Sequence, residues 1–155
     1  MNRQDAKVAK MQTLIEPGKR ADELARAVIG AAIEVHRQLG PGFLESVYEE
    51  ALCVELAVGN VPFERQKEIT INYKGHQIGR HRVDLLVGQA LVVELKTVES
   101  LAEIHMAQVI SYLKVTSLSL GLMINFNVPV LKNGIQRVVY SNNNSAAWRS
   151  SRLGG

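Results

Sequence analysis

A single cysteine, Cys53, stands among the 155 residues, so no internal disulfide is possible. The fold is expected to rest on packing, and a reducing cytoplasm is the expected setting. Long apolar runs are also missing. Nothing approaches the roughly 18 apolar residues of a membrane span. The opening MNRQDAKVAKMQTLIEPGKR carries no apolar stretch of signal-peptide length. No membrane partner is expected. No internal repeat divides the chain. Acid is absent after Glu103: residues 104–155 hold five bases and no acid, whereas residues 21–58 hold seven acids and two bases.

The formal net charge is +3, and all of it lies in the first twenty residues. Arg3, Lys7, Lys10, Lys19 and Arg20 there face only Asp5 and Glu16, and the remainder is balanced at 13 bases and 13 acids. A pI near 9.1 is thus weak evidence of a nucleic-acid partner. The basic second half suits an anionic polymer, and equally a solvated surface.

What is present suits one globular domain. Apolar residues make up 46% and charged residues 21%. Residues 1–20 are expected to form a flexible basic arm, 21–140 the domain, and 141–155 a polar, frayed tail that Trp148 alone has the size to pin. Leu24, Ala27, Val28, Ala31, Ala32, Val35 and Leu39 repeat at helical spacing over about 21–39. Gly40-Pro41-Gly42 stops that helix. A second is expected over about 43–58, with Leu44, Val47, Ala51, Leu52 and Leu56 on its apolar face. The period then changes. Ile69, Ile71 and Tyr73 alternate as in a half-buried strand. Strands are expected at about 77–87, 91–97, 117–126 and 134–140, with a helix over about 101–115. The order predicts an α/β (α+β) domain, a mixed central sheet flanked by helices.

The hairpin RHRVDLLVGQALVVELKTVES, Arg80–Ser100, poses a chemical question. It is apolar enough to be buried, yet it carries Asp84, Glu94 and Lys96. A buried charge without a partner costs several kcal/mol. With Gly88-Gln89-Ala90 as a three-residue loop, opposed residue numbers sum to 178. Asp84 then faces Glu94, and Arg82 faces Lys96. Opposed Cβ atoms lie roughly 4.5–5.5 Å apart. A two-residue loop places the carboxylates on opposite faces instead. Paired carboxylates suit Mg2+, which takes oxygen ligands and keeps several waters. A lysine two residues on suits an attacking water or a developing negative charge. On spacing alone, a ladder of cross-strand salt bridges, with Asp84 and Glu94 against Lys96 and Arg82, explains the same residues.

The next helix adds a polar stripe. In LAEIHMAQVISYL, His105, Gln108 and Tyr112 stand at i, i+3 and i+7, with Ile104, Val109 and Leu113 covering the core side. The helix GFLESVYEEAL adds Glu45 and Tyr48 on one face. Glu49, Glu50 and Glu55 are expected to be a solvated acidic face.

Asp84 followed by Glu94-Leu95-Lys96 resembles the D…(D/E)-x-K signature of PD-(D/E)XK nucleases. EVHRQLGPGFLESVYEEAL and QVISYL are similar to the GxxExxY family of that superfamily, with Gly42, Glu45 and Tyr48 as the name motif. Gln108 and Tyr112 resemble the QxxxY motif of RecB-like nucleases. The likeness covers about residues 21–140. Val83 departs from it by replacing the signature proline, which supplies no ligand. The resemblance implies a restriction-endonuclease-like core and metal-dependent cleavage of phosphodiester bonds in nucleic acid, DNA first. It implies Mg2+, with Mn2+ as a substitute, on Asp84, Glu94, the Leu95 carbonyl and Glu45. Lys96 then acts on the water. Gln108 and Tyr112 orient the phosphate, and Tyr48 and His105 have supporting places. The competing expectation is a module that keeps the fold and binds nucleic acid or protein without cutting.

Overall fold

The computed structural model describes residues 18–141 and 149–152. Helix α1 spans Lys19–Leu39 and α2 spans Glu45–Val58. Strands β1 (Phe63–Tyr73), β2 (His76–Val87) and β3 (Leu91–Lys96) follow. Helix α3 (Glu103–Thr116) leads to β4 (Leu120–Asn125), a 3-10 turn (Leu131–Gly134), β5 (Ile135–Val139) and β6 (Arg149–Arg152). The sheet is mixed, in sequence order, with β3 and β4 parallel and every other pair antiparallel. The α3 crossover between β3 and β4 supplies the parallel pair. Among the described residues no helix is long and apolar enough to cross a membrane.

Two cores flank the sheet. On one face α1 lays Ala21, Ala25, Val28, Ala32 and Val35 against Leu85, Val93, Leu95 and Leu122. Three alanines in that stripe let the helix approach closely. On the other face α3 packs Met106, Val109, Ile110 and Leu113 over Val83, Leu86, Val92 and Met123. Strand β4 is buried throughout, as a strand covered on both faces must be.

Several elements differ from the sequence expectation. Helix α1 begins at Lys19, so Lys19 and Arg20 belong to it rather than to an arm, and Arg20 donates to the Gly88 carbonyl at 3.1 Å, bracing the β2–β3 turn. Residues 1–17 and Trp148 lie outside the described residues. In the tail, residues 149–152 pair with β5 as an added strand. The apolar face of α2 is shifted from the one expected: Leu52 and Leu56 are buried as expected, but Leu44 and Val47 are exposed and Tyr48 and Cys53 are buried in their place. This helix carries two apolar stripes, and the Tyr48 ring stacked on Phe126 (centroids 4.5 Å, 6° between planes) selects which one faces in. On α3, Ile104 is likewise exposed, and Met106 and Ile110 take the core side with Val109 and Leu113. Strand β1 starts at Phe63 instead of Ile69, because Phe63–Lys67 pairs with β2 at the sheet edge without burying a face.

Candidate active site

The β2–β3 register is the one a three-residue loop dictates, with Leu85, Leu86 and Val87 opposite Val93, Val92 and Leu91. Gly88 and Gln89 turn the chain at φ near 58°. Past Leu85 and Val93 the main-chain ladder gives way to side chains. The Asp84 N–H donates to Glu94 Oε1 at 3.2 Å, and the Leu95 N–H donates to Asp84 Oδ2 at 2.8 Å. Two carboxylates therefore meet where the strands part. No ion pair among the described residues joins either to Lys96 or Arg82, so the salt-bridge ladder is not what the hairpin forms.

Glu94 is buried, and burial is the first cause that pushes its pKa up to about 9. The Asp84 charge is the second, and Lys96 pulls the other way. Lys96 closes β3 two residues on, half-buried, its carbonyl accepting the Phe126 N–H at 3.0 Å. Side chains two apart on a strand share a face, so Lys96 and Glu94 project together.

Glu45 is the first residue of α2. Its side chain is exposed, yet partial desolvation and then the Asp84 charge raise its pKa, with Lys96 opposing. It thus stands in the field of the same pair. The turn before it sets this position. Gly40 and Gly42 adopt φ of 69° and 111°, the left-handed region that glycine enters freely. Tyr48, fully buried, donates its hydroxyl to the Gly40 carbonyl at 2.6 Å and accepts the Phe43 N–H at 3.1 Å. Gly42, Glu45 and Tyr48 are one local device: the tyrosine ties the glycine turn that presents the glutamate.

On the opposite side Tyr112 stacks on His81 with centroids 4.3 Å apart. Burial, then the Glu94 and Asp84 charges, push its pKa up to about 12, so it stays a neutral phenol at working pH. Gln108 is exposed and its side chain makes no hydrogen bond within the described residues. His105 turns to its own helix, its Nδ1 accepting the Ala102 N–H at 2.9 Å as half of a capping box. Lys96, Glu45 and Tyr112 thus share the field of Asp84 and Glu94, whereas Tyr48 and His105 are spent on local structure.

Two neighbours of the pair, Gln66 and Asn125, belong to no sequence motif, and a third, Glu49, departs from its expected place. Gln66 Nε2 bridges Glu49 Oε1 at 2.7 Å and Asp84 Oδ1 at 3.3 Å, from a backbone at φ 50° that interrupts the β1–β2 ladder. Glu49 also takes Arg65 at 2.8 Å, so it is not a free solvated acid. Asn125 is buried, accepts from Val98 N–H at 3.1 Å and donates to the Val98 carbonyl at 2.9 Å, holding the segment after Lys96. Only Asn125 left a signal, an amide ending an apolar strand.

The donor chemistry fits a hard divalent cation. Burial and mutual repulsion keep Glu94 protonated near neutrality, and a cation between the carboxylates removes that penalty. Among the described residues no three His, Cys, Asp or Glu side chains converge into a closed cage. An open pair suits Mg2+, which fills its remaining positions with water and phosphate oxygens.

Compared with known families, residues 22–138 match the PD-(D/E)XK nuclease superfamily. Neither a curated protein nor a solved structure matches the chain.

Proposed function

The chain belongs to the PD-(D/E)XK nuclease superfamily, and from that premise we propose that it is a metal-dependent nuclease of the GxxExxY branch, cutting phosphodiester bonds of nucleic acid, with DNA as the first candidate. The observation that carries this reading is the exchange between Asp84 and Glu94, each carboxylate taking a main-chain N–H of the other strand two residues from Lys96. A salt-bridged hairpin has no use for two adjoining acids with their cation left out.

Asp84, Glu94 and the Leu95 carbonyl would hold Mg2+, or Mn2+ in its place, with Glu45 taking a bridging water or a second ion. The ion supplies a polarised phosphate and a more acidic water. Lys96 offers N–H donors to the attacking water and to the charge that builds on the phosphate. Tyr112, neutral, donates from its phenol to a phosphate oxygen, and Gln108 is free to do the same from the adjacent turn of α3. Asn125 and Gln66 act through other groups: one fixes the chain after Lys96, the other orients Asp84. A cytoplasmic setting is part of the proposal and rests on the lone thiol, Cys53, which is buried.

The test is cleavage of labelled DNA by purified protein with Mg2+ or Mn2+, against chelator. Asp84→Ala should lose metal binding and cutting together. Lys96→Ala should keep metal binding and lose on the order of 10²–10⁴ in rate. Wild type and both variants cutting alike would expose a contaminating nuclease. Neither cutting nor metal binding would favour a module that binds without catalysis.

A further inference from the structure

Strands β1 and β2 run well past the body of the domain. From Thr70 to Arg82 no residue is buried. Its base is held where His81 stacks on Tyr112 of α3, but beyond that contact the two-stranded ribbon buries no residue, and a bare hairpin is marginal in water. It is also basic. Between Lys67 and Arg82 it holds four Lys and Arg residues and one acid, Glu68, with His76 and His81 besides.

None of these cations is held by a buried partner. Arg80 reaches Glu68 only at 3.8 Å, and Lys67 pairs with Glu64 at 3.1 Å, both on the surface. Lys74 lies over the Tyr73 ring, and Arg82 makes no ion pair among the described residues. Arg80 and Arg82 are two apart and share a face, opposite Thr70 and Glu68. Near the tip, Tyr73 and Ile78 are exposed. Register moves by one residue beyond Ile71, leaving Ile78 as a bulge that adds twist.

The ribbon is continuous with the site, because Asp84 belongs to the same strand. At about 3.3 Å per residue, Arg82 and Arg80 stand roughly 7 and 13 Å along β2 from Asp84, and His76 roughly 26 Å. Phosphates along one strand of a duplex recur at about 3.4 Å of axis. The ribbon thus has the length to follow seven or eight of them. A two-stranded ribbon fits the wide major groove of B-form DNA. The deep, narrow major groove of A-form RNA does not admit it.

We propose that the β1–β2 ribbon is a duplex-DNA contact, with Arg80, Arg82 and Lys74 on phosphates and the twisted tip in the major groove. This deepens the nuclease reading and rests on it, by naming double-stranded DNA as the substrate that the site cuts.

The experiment measures binding of a labelled 20-base-pair DNA duplex by anisotropy in chelator, where nothing is cut, between 50 and 200 mM salt. The paired change Arg80→Ala with Arg82→Ala should weaken binding about tenfold at low salt. It should also flatten the slope of log K against log salt by about 1.8, the release expected for two phosphate contacts. The paired change to Lys keeps both charges and should retain most of the affinity, with thermal melts reporting that all proteins are folded. An RNA duplex and single-stranded DNA of equal length should bind more weakly. An unchanged slope in the alanine pair, or RNA or single strands binding as tightly as duplex DNA, overturns the proposal. The two readings fail separately. Cutting without ribbon-dependent binding leaves the nuclease and removes the ribbon. Ribbon-dependent binding without cutting leaves the ribbon and removes the nuclease.

Discussion

Glu94 accepts the main-chain N–H of Asp84 at 3.2 Å, which favours its charged form, but burial first and the Asp84 carboxylate second push its pKa up to about 9. In the unfolded chain the same carboxyl titrates in the ordinary range, near 4.5. Between those values the folded protein holds a proton that the unfolded chain has released. Stability without metal is therefore full below the lower value and falls as pH rises toward about 9, by at most about 1.4 kcal/mol per pH unit for one proton. Thermal unfolding in chelator from pH 5 to 9 should show a steeper decline for wild type than for Glu94→Gln. Parallel profiles would mean that Glu94 does not carry the proton.

The same proton governs the ion. Holding Mg2+ requires Glu94 ionised, so binding must expel its proton. Affinity for Mg2+ should rise by up to about tenfold per pH unit between pH 6 and 8, and calorimetry in buffers of different ionisation heat should count close to one proton released. A pH-independent affinity with no proton release would place the ion away from Glu94.

Tyr48 closes the turn before Glu45 with two hydrogen bonds, to the Gly40 carbonyl and from the Phe43 N–H. Tyr48→Phe keeps the stack on Phe126 and deletes both. The expected cost is about 1–3 kcal/mol in urea unfolding, since two main-chain groups lose a buried partner. Cutting should slow as well, because the start of α2 that presents Glu45 loosens. Full stability in the variant would show that the ring alone holds the turn.

Asn125 holds both main-chain groups of Val98 from the end of β4. Asn125→Leu matches the size and removes both bonds. It should destabilise by about 2–4 kcal/mol and lower the cutting rate more than Mg2+ affinity, because the tether follows Lys96 and not the carboxylates. Equal losses in both would make its role general packing.

Much of this protein is legible in its sequence. Residues that alternate or repeat at helical spacing bury themselves by the same periodicity wherever the chain folds, and so α1, β2, β3, α3, β4 and β5 lie near their expected places. The three-residue loop fixed the sum of opposed numbers, because in a hairpin the turn length alone sets the register. Asp84 and Glu94 were thereby placed side by side from sequence. Tertiary structure decided what periodicity leaves open. Helix α2 has two apolar stripes, and only the Tyr48 ring meeting Phe126 from β4's far end selects one. His105 shares a stripe with Tyr112, but a free N–H at Ala102 claims its ring, while Tyr112 finds His81. Gln66 reaches Asp84 through a left-handed backbone that no residue pattern announces. Strand β6 forms because β5 offers an edge of unpaired main-chain groups, a requirement of the sheet and not of the polar residues that meet it.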